Sequence, residues 1–297
     1  SVDQIRRFLQ LLGSNASKPS RNVCMSGEEV LKMECELLRG KSLDEKHYTA
    51  NLSDWVVSSE SYLATDHFFG SKAASSNPNL GKALLKDARK AWKLLPRPHP
   101  NASIFVCFAE ERMDICRAII CAPSGTPYSL GVFTFDICYP QLFPDVSPML
   151  HFMTTGGGQV RFSPNLYNDG KVCLSLLGTT EASNQTQRWN PKDSSLAQIL
   201  LSIQSQILDQ SEPYYADGGW VGGNQREKGT MASRASSARY NNTLRLSTLR
   251  HAIIETMKSP PKGFEDVTRR HFAMCRKRLM VQAKVWTLES RGTELYG

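Results

Sequence analysis

Phe162-Ser163-Pro164-Asn165-Leu166-Tyr167-Asn168-Asp169-Gly170-Lys171-Val172-Cys173-Leu174-Ser175-Leu176-Leu177 holds a chain reversal and a nucleophile in one stretch. Asn168-Asp169-Gly170 is a strong turn signal, because Asn, Asp and Gly tolerate the positive φ that tight reversals need. A reversal centred on Asp169 sets Asn165 and Cys173 opposite each other, four residues away on either side. A thiol facing a side-chain amide suits acyl transfer. The thiolate attacks or carries the acyl group, and the amide N–H donates to the oxyanion that develops. No His lies nearby in sequence to act as a papain-like base. By spacing alone, a structural loop with a buried Cys fits the same residues.

Upstream, strands are expected at Ser103–Phe108, Met113–Cys121 and Val132–Tyr139, with a short fourth at Met149–Met153. In the third, Phe133, Phe135, Ile137 and Tyr139 fall on one face and Thr134, Asp136 and Cys138 on the other. Before them, Leu80, Leu84, Ala88, Ala91, Trp92 and Leu95 repeat at helical spacing until Pro96, Pro98 and Pro100 end the run. Trp92 and Trp286 are expected to pack in the core or between helices. Downstream, Ser194-Ser195 caps a helix through Leu196, Ile199, Leu200, Ile203 and Ile207. Residues 209–241 read as loop. Two more helices follow, one around Leu246–Met257 and one along Phe272, Cys275, Leu279, Ala283 and Trp286, the latter leaving Arg269, Arg270, Arg276 and Lys277 to solvent. Helix, run of strands, run of helices is the order of an α+β fold with a four-stranded antiparallel meander. Residues 1–77 carry no pattern that supports a fold and read partly as linker.

With 297 residues, 40% of them hydrophobic and 22% charged, the chain has the balance of a soluble globular protein. Nothing approaches eighteen consecutive apolar residues, so no membrane span is expected. The opening residues show no secretory signal. A chain opening on Ser1 is expected to be a processed product or a fragment of a longer one. The net charge of +8 sits in residues 226–297, which hold fifteen Lys/Arg against six Asp/Glu. This basic quarter reads as a solvated helix face, so nucleic acid is not an expected partner. None of the eight cysteines forms a Cys-x-x-Cys pair, so no metal site is expected and the compartment reads as reducing and intracellular, the cytoplasm with the nucleus as an alternative. Gly156-Gly157-Gly158 lacks a following Gly-Lys-Ser/Thr and reads as a strand-connecting loop.

Ser163-Pro164-Asn165, the eight-residue step from Asn165 to Cys173, and Trp189-Asn190-Pro191 resemble the active-site signature of ubiquitin-conjugating enzymes. Gly125-Thr126-Pro127-Tyr128, Gly131–Phe135 and Tyr139-Pro140 look like that fold's second and third strands. Thr154–Gly157, Pro164–Ser175, Ser211–Tyr215 and the helix around His271-Phe272 resemble the conjugating domain of its very large members, the BRUCE (apollon) type. The resemblance runs from about Leu80 to Trp286. It implies a conjugating core over 78–258, flanked by an N-terminal segment (1–77) and a basic helical extension (259–297).

The resemblance further implies an ATP-dependent pathway in which Cys173 takes ubiquitin as a thioester from the ubiquitin-activating enzyme. Ubiquitin then passes to a lysine of a substrate protein, with or without a separate ligase, or in a combined conjugating-and-ligase role. Asn165 would stabilise the oxyanion or hold the loop that does so. Asp209, Glu212 and Asp217 lie where the family keeps an acidic gate. No cofactor is implied. The alternatives are a non-catalytic module of the same fold that binds ubiquitin or a partner, and an enzyme for a ubiquitin-like modifier. The sequence departs from the family's pattern at five places. Ser163 replaces its His, Phe162 a frequent Tyr, and Ser175 a frequent Asp. Asp145 stands where small members present a hydrophobic residue to ligases. The step from Cys173 to Trp189 is sixteen residues, lengthened by the polar stretch Gly178–Gln187.

Overall fold

Phe133, Phe135 and Ile137 alternate along Val132–Cys138, and that alternation builds one face of the central sheet. The structure is a computed structural model that describes residues 45–74, 80–179, 188–216 and 229–295, with side chains up to residue 290. In chain order the strands are β1 (Val57–Glu60), β2 (Ser103–Ala109), β3 (Ile115–Cys121), β4 (Val132–Cys138) and β5 (Met149–Phe152). The helices are α1 (Glu45–Leu52), α2 (Leu80–Leu94), α3 (Leu196–Ser202), α4 (Met231–Ser247), α5 (Thr256–Lys258) and α6 (Glu265–Leu295). A π-helical stretch extends α3 through Ile203–Leu208, and another joins α4 to α5 through Thr248–Glu255.

β2, β3, β4 and β5 form the expected antiparallel meander, in a register that opposes Ala118 to Phe135 and Arg117 to Asp136. The sheet has five strands, one more than expected, because β1 adds parallel to β2 with Val57 opposite Val106. Val57-Ser58-Ser59-Glu60 is a short edge strand without apolar alternation, so nothing in its sequence marks it. α4 starts at Met231, inside a region expected to be loop. Thr230 caps it by accepting from the Ser233 amide. Its first turns, Met-Ala-Ser-Arg-Ala-Ser-Ser, lack an apolar stripe, which is why the periodicity is silent there.

Both faces of the sheet are buried. On the first, β4 packs with Leu84 and Ala91 of α2 and with Leu196, Leu200 and Ile203 from α3 and its extension. α2 turns Leu80, Leu84, Asp87 and Ala91 inward and leaves Trp92 57% exposed, against the expectation that it packs. Trp92 lies one step of about 100° beyond Ala91, just outside the stripe. Asp87 takes the inner position because its carboxylate accepts from Tyr139 Oη (3.0 Å) and from the Leu196 amide (3.3 Å) at the start of α3. Burial raises the pKa of Asp87, while those two donors and Lys90 oppose the rise. Ser195 is the N-cap of α3 and accepts from the Gln198 amide.

The second face is covered by both ends of the described chain. Tyr48 and Leu52 of α1 join Phe272, Cys275, Leu279 and Trp286 of α6 over Phe105, Ile119 and Val132. Arg269, Arg270, Arg276 and Lys277 are exposed, as the helical stripe required. Tyr48 Oη and His271 Nδ1 pair at 2.7 Å across 223 residues of sequence. On this face Arg117 donates to Asp136 through Nε (2.6 Å) and Nη2 (3.0 Å), and to Asp66 Oδ2 (2.9 Å). Asp136 also accepts from the Phe68 amide (2.7 Å), which fastens residues 66–68 to the sheet. No helix among the described residues is long and apolar enough to cross a membrane.

Candidate active site

The Phe162–Leu177 stretch folds back on itself beside β5. Gly170 adopts φ 88°, and the Lys171 amide donates to Asp169 Oδ1 (3.0 Å), closing the predicted reversal. A side chain at Gly170 would strike the His151 ring, so glycine is required there for space as well as conformation. The Phe152 amide donates to the Gly170 carbonyl (2.8 Å), tying the reversal to the sheet. At its other end, Tyr128 Oη donates to the Phe162 carbonyl (2.8 Å).

The reversal brings Asn165 and Cys173 together. The Cys173 amide donates to the Asn165 carbonyl (2.9 Å), and Asn165 Nδ2 donates to the Cys173 carbonyl (3.1 Å). Ser163, where the family pattern has His, is buried and accepts from the Asn165 amide (3.1 Å). It therefore orients the Asn165 backbone. Cys173 is 8% exposed, and its Sγ lies 3.6 Å from the Thr179 carbonyl oxygen, to which the thiol donates. The Leu174 amide donates to Thr179 Oγ1 (2.9 Å). Both backbone N–H groups at the nucleophile are thus committed. Asn165 carries a side-chain amide within reach of the same residue.

The other described cysteines offer no competing nucleophile. Cys107, Cys116, Cys121, Cys138 and Cys275 are buried on strands or on α6. Burial pushes Cys107 up to about 11 and Cys275 up to about 12, and raises Cys116, Cys121 and Cys138 as well. Each is held as the unreactive thiol.

The expected acidic gate is only partly placed. Asp209 is exposed just past the π-helical end of α3. Glu212 is exposed and accepts from Ser237 Oγ of α4 (3.3 Å). Asp217 lies outside the described residues. Neither Asp209 nor Glu212 is hydrogen-bonded to Cys173 or Asn165. Around the site, Trp189 Nε1 donates to the Pro144 carbonyl (2.6 Å) and stacks at a tilt on Phe143, fastening two loops together. Asp145 is exposed between exposed Leu142 and Val146. An open groove of about 480 Å³ starts at Leu176, just after the nucleophile, and runs past Asn190 and Asp193 along Gln198 and Leu201 of α3. Sequence reasoning missed Thr179, which sits in a loop six residues from Cys173 with no motif around it.

Comparison with known proteins agrees with this geometry. The family model described as "Ubiquitin-conjugating enzyme" matches residues 85–219. The chain is 42% identical over 186 residues to "Dual E2 ubiquitin-conjugating enzyme/E3 ubiquitin-protein ligase BIRC6" of Mus musculus, covering 63% of this chain and 4% of that protein. It is 35% identical over 261 residues to "Probable ubiquitin-conjugating enzyme protein 17" of Caenorhabditis elegans, covering 84% of this chain and 35% of that one. With "Probable ubiquitin-conjugating enzyme E2 25" of Arabidopsis thaliana the identity is 39% over 211 residues, 71% of this chain and 33% of the relative. The chain thus spans about a third or less of the length of these relatives. An α+β sheet, a cysteine on a turn paired with an asparagine eight residues before it, and these matches agree: the chain carries a domain of the ubiquitin-conjugating enzyme family over residues 85–219.

Proposed function

We propose that this chain is a ubiquitin-conjugating transferase working through Cys173. The Cys173 thiolate attacks the thioester joining ubiquitin to the activating enzyme. A new S–C bond forms and the activating enzyme's thiol leaves. A substrate lysine, having lost its proton, then attacks the Cys173 thioester and the sulfur departs. Asn165 donates to the oxyanion in this second step. Asp209, Glu212 and Asp217 are the candidates for the acidic gate that helps the lysine shed its proton. The observation that carries the reading is the Asn165–Cys173 pairing across the turn, beside a set of other cysteines locked as buried thiols. Residues 78–258 form the conjugating core and 259–297 an extension that packs on it. The partners are ubiquitin, the ubiquitin-activating enzyme and a substrate protein. The name of the mouse relative supports a combined conjugating-and-ligase role, with or without a separate ligase. The proposed compartment is the cytoplasm, with the nucleus as an alternative.

The test is charging with activating enzyme, ATP and ubiquitin, resolved on a non-reducing gel. A reductant-sensitive adduct is expected on the wild type and on Cys138→Ala and Cys275→Ala, and none on Cys173→Ala. Cys173→Ser is expected to give an oxyester that resists thiols and yields to strong base. An adduct that survives loss of Cys173 refutes the assignment. A parallel panel of ubiquitin-like modifiers identifies which one is carried.

A further inference from the structure

Thr179 binds both peptide groups that flank the nucleophile. Its hydroxyl has one proton, and Oγ1 donates to the Val172 carbonyl oxygen (2.8 Å), with the Leu174 carbonyl oxygen farther off at 3.3 Å. The same oxygen accepts from the Leu174 amide (2.9 Å). One hydroxyl therefore bridges the residue before Cys173 to the residue after it. The approach is made by a short 3₁₀ turn, Ser175–Leu177, followed by Gly178 at φ 68°. That left-handed residue swings the chain back so that the Thr179 amide meets the Leu174 carbonyl (3.4 Å). The reversal also delivers the Thr179 carbonyl oxygen to Cys173 Sγ at 3.6 Å.

These contacts have two chemical consequences. The hydroxyl bridge fixes the backbone on both sides of Cys173, and with it the direction in which Sγ and a thioester carbonyl on it point. The carbonyl oxygen accepts from the thiol but has only lone pairs to offer a thiolate, so it covers the resting sulfur and has to give way when the sulfur reacts. We propose that Thr179 is a positioning residue for Cys173, its side-chain hydroxyl holding the nucleophile's backbone in register with Asn165 while its main chain covers the resting thiol. This rests on the conjugating reading for its role in transfer, but not for its effect on the sulfur itself.

A crossed pair of substitutions separates hydroxyl from shape. Thr179→Val keeps the branched outline and removes the hydroxyl, whereas Thr179→Ser keeps the hydroxyl and removes the branch. Two rates are read on each: alkylation of Cys173 by iodoacetamide, followed by peptide mass spectrometry, and single-turnover discharge of the ubiquitin thioester to free lysine. Thr179→Val is expected to alkylate faster than the wild type, because the cover loosens. Its discharge is expected to slow by about 10²-fold in the saturating rate, the scale of a reacting atom misplaced by about 1 Å, with an unchanged KM for lysine. Thr179→Ser is expected to restore both rates. Wild-type rates in Thr179→Val, or a defect in Thr179→Ser that Thr179→Val does not share, would overturn the proposal. If the wild type forms no ubiquitin thioester, the conjugating reading fails instead. The alkylation order needs no ubiquitin and still decides whether the clamp exists.

Discussion

Replacing Asn165 by Ala asks whether this side chain acts in the chemistry or only in the loop. In the resting structure Asn165 Nδ2 donates to the Cys173 carbonyl at 3.1 Å, a single neutral hydrogen bond at a half-buried position. Its net contribution to stability is about 0.5–1.5 kcal/mol. The backbone bond between the Cys173 amide and the Asn165 carbonyl remains in the variant, so the reversal should persist. The chemical cost is larger. With the Cys173 and Leu174 amides already engaged, the Asn165 amide is the proposed donor to an oxyanion on the nucleophile. Losing one such donor costs about 10²–10³ in rate, about 3–4 kcal/mol. Discharge to lysine should therefore fall far more than stability, and more than charging. The assay is single-turnover discharge from pre-charged protein over a lysine series, beside charging rates and thermal melts on the same samples. Asn165→Asp keeps the outline and loses the donor, so its discharge should fall at least as far. Near-wild-type discharge in Asn165→Ala would remove Asn165 from the mechanism. A loss shared equally by charging, discharge and melting temperature would assign it to the scaffold alone.

Trp286, 4% exposed on α6, should cost about 3–5 kcal/mol when cut to Ala, while reversing Arg269, Arg270 and Lys277 to Glu should leave the melting temperature nearly unchanged. The opposite pattern in thermal melts would invert the faces of this helix. Asp136→Ala removes one of the two carboxylates that pair with the buried Arg117 guanidinium and leaves it Asp66, so chemical denaturation should register a loss of about 3 kcal/mol, the low end for a broken buried pair. Arg117→Met/Asp136→Leu should recover part of this, though not all, because the Phe68 amide still lacks its acceptor. A silent Asp136→Ala would show that the buried pair does not hold the segment at residues 66–68. Burial lowers His271 from 6.5 to about 4, against the Leu130 carbonyl, which favours the proton. The unfolded chain binds that proton first, so the His271 contribution is fully present above pH 6.5 and is lost as pH falls toward about 4. The slope is at most about 1.4 kcal/mol per pH unit. The stability difference between wild type and His271→Gln should shrink over that window, and a constant difference would refute the buried neutral imidazole.

What the chain could declare by itself was whatever is settled within one turn of sequence. Asn168-Asp169-Gly170 reverses the backbone through residues that tolerate positive φ, so the facing of Asn165 and Cys173 across eight residues was legible in the spacing alone. The β2-to-β5 meander and the Phe272–Trp286 stripe were legible for the same reason, since strand and helix periods repeat locally. Tertiary structure decided the rest. β1 has too few residues and too mixed a character to announce itself, and it becomes a strand because β2 offers an unpaired edge. Asp136 alternates as an outer-face residue would, yet it is buried because residues 66–68 close over it, the Phe68 amide donating to its carboxylate and Arg117 bridging it to Asp66. Asp87 takes an inner position on α2 because Tyr139 Oη and the start of α3 supply donors that no helical period encodes. Thr179 lies in the same class. Its hydroxyl reaches Val172 and Leu174 only after a left-handed turn at Gly178 has folded the loop back, a contact made by three-dimensional closure and invisible to spacing.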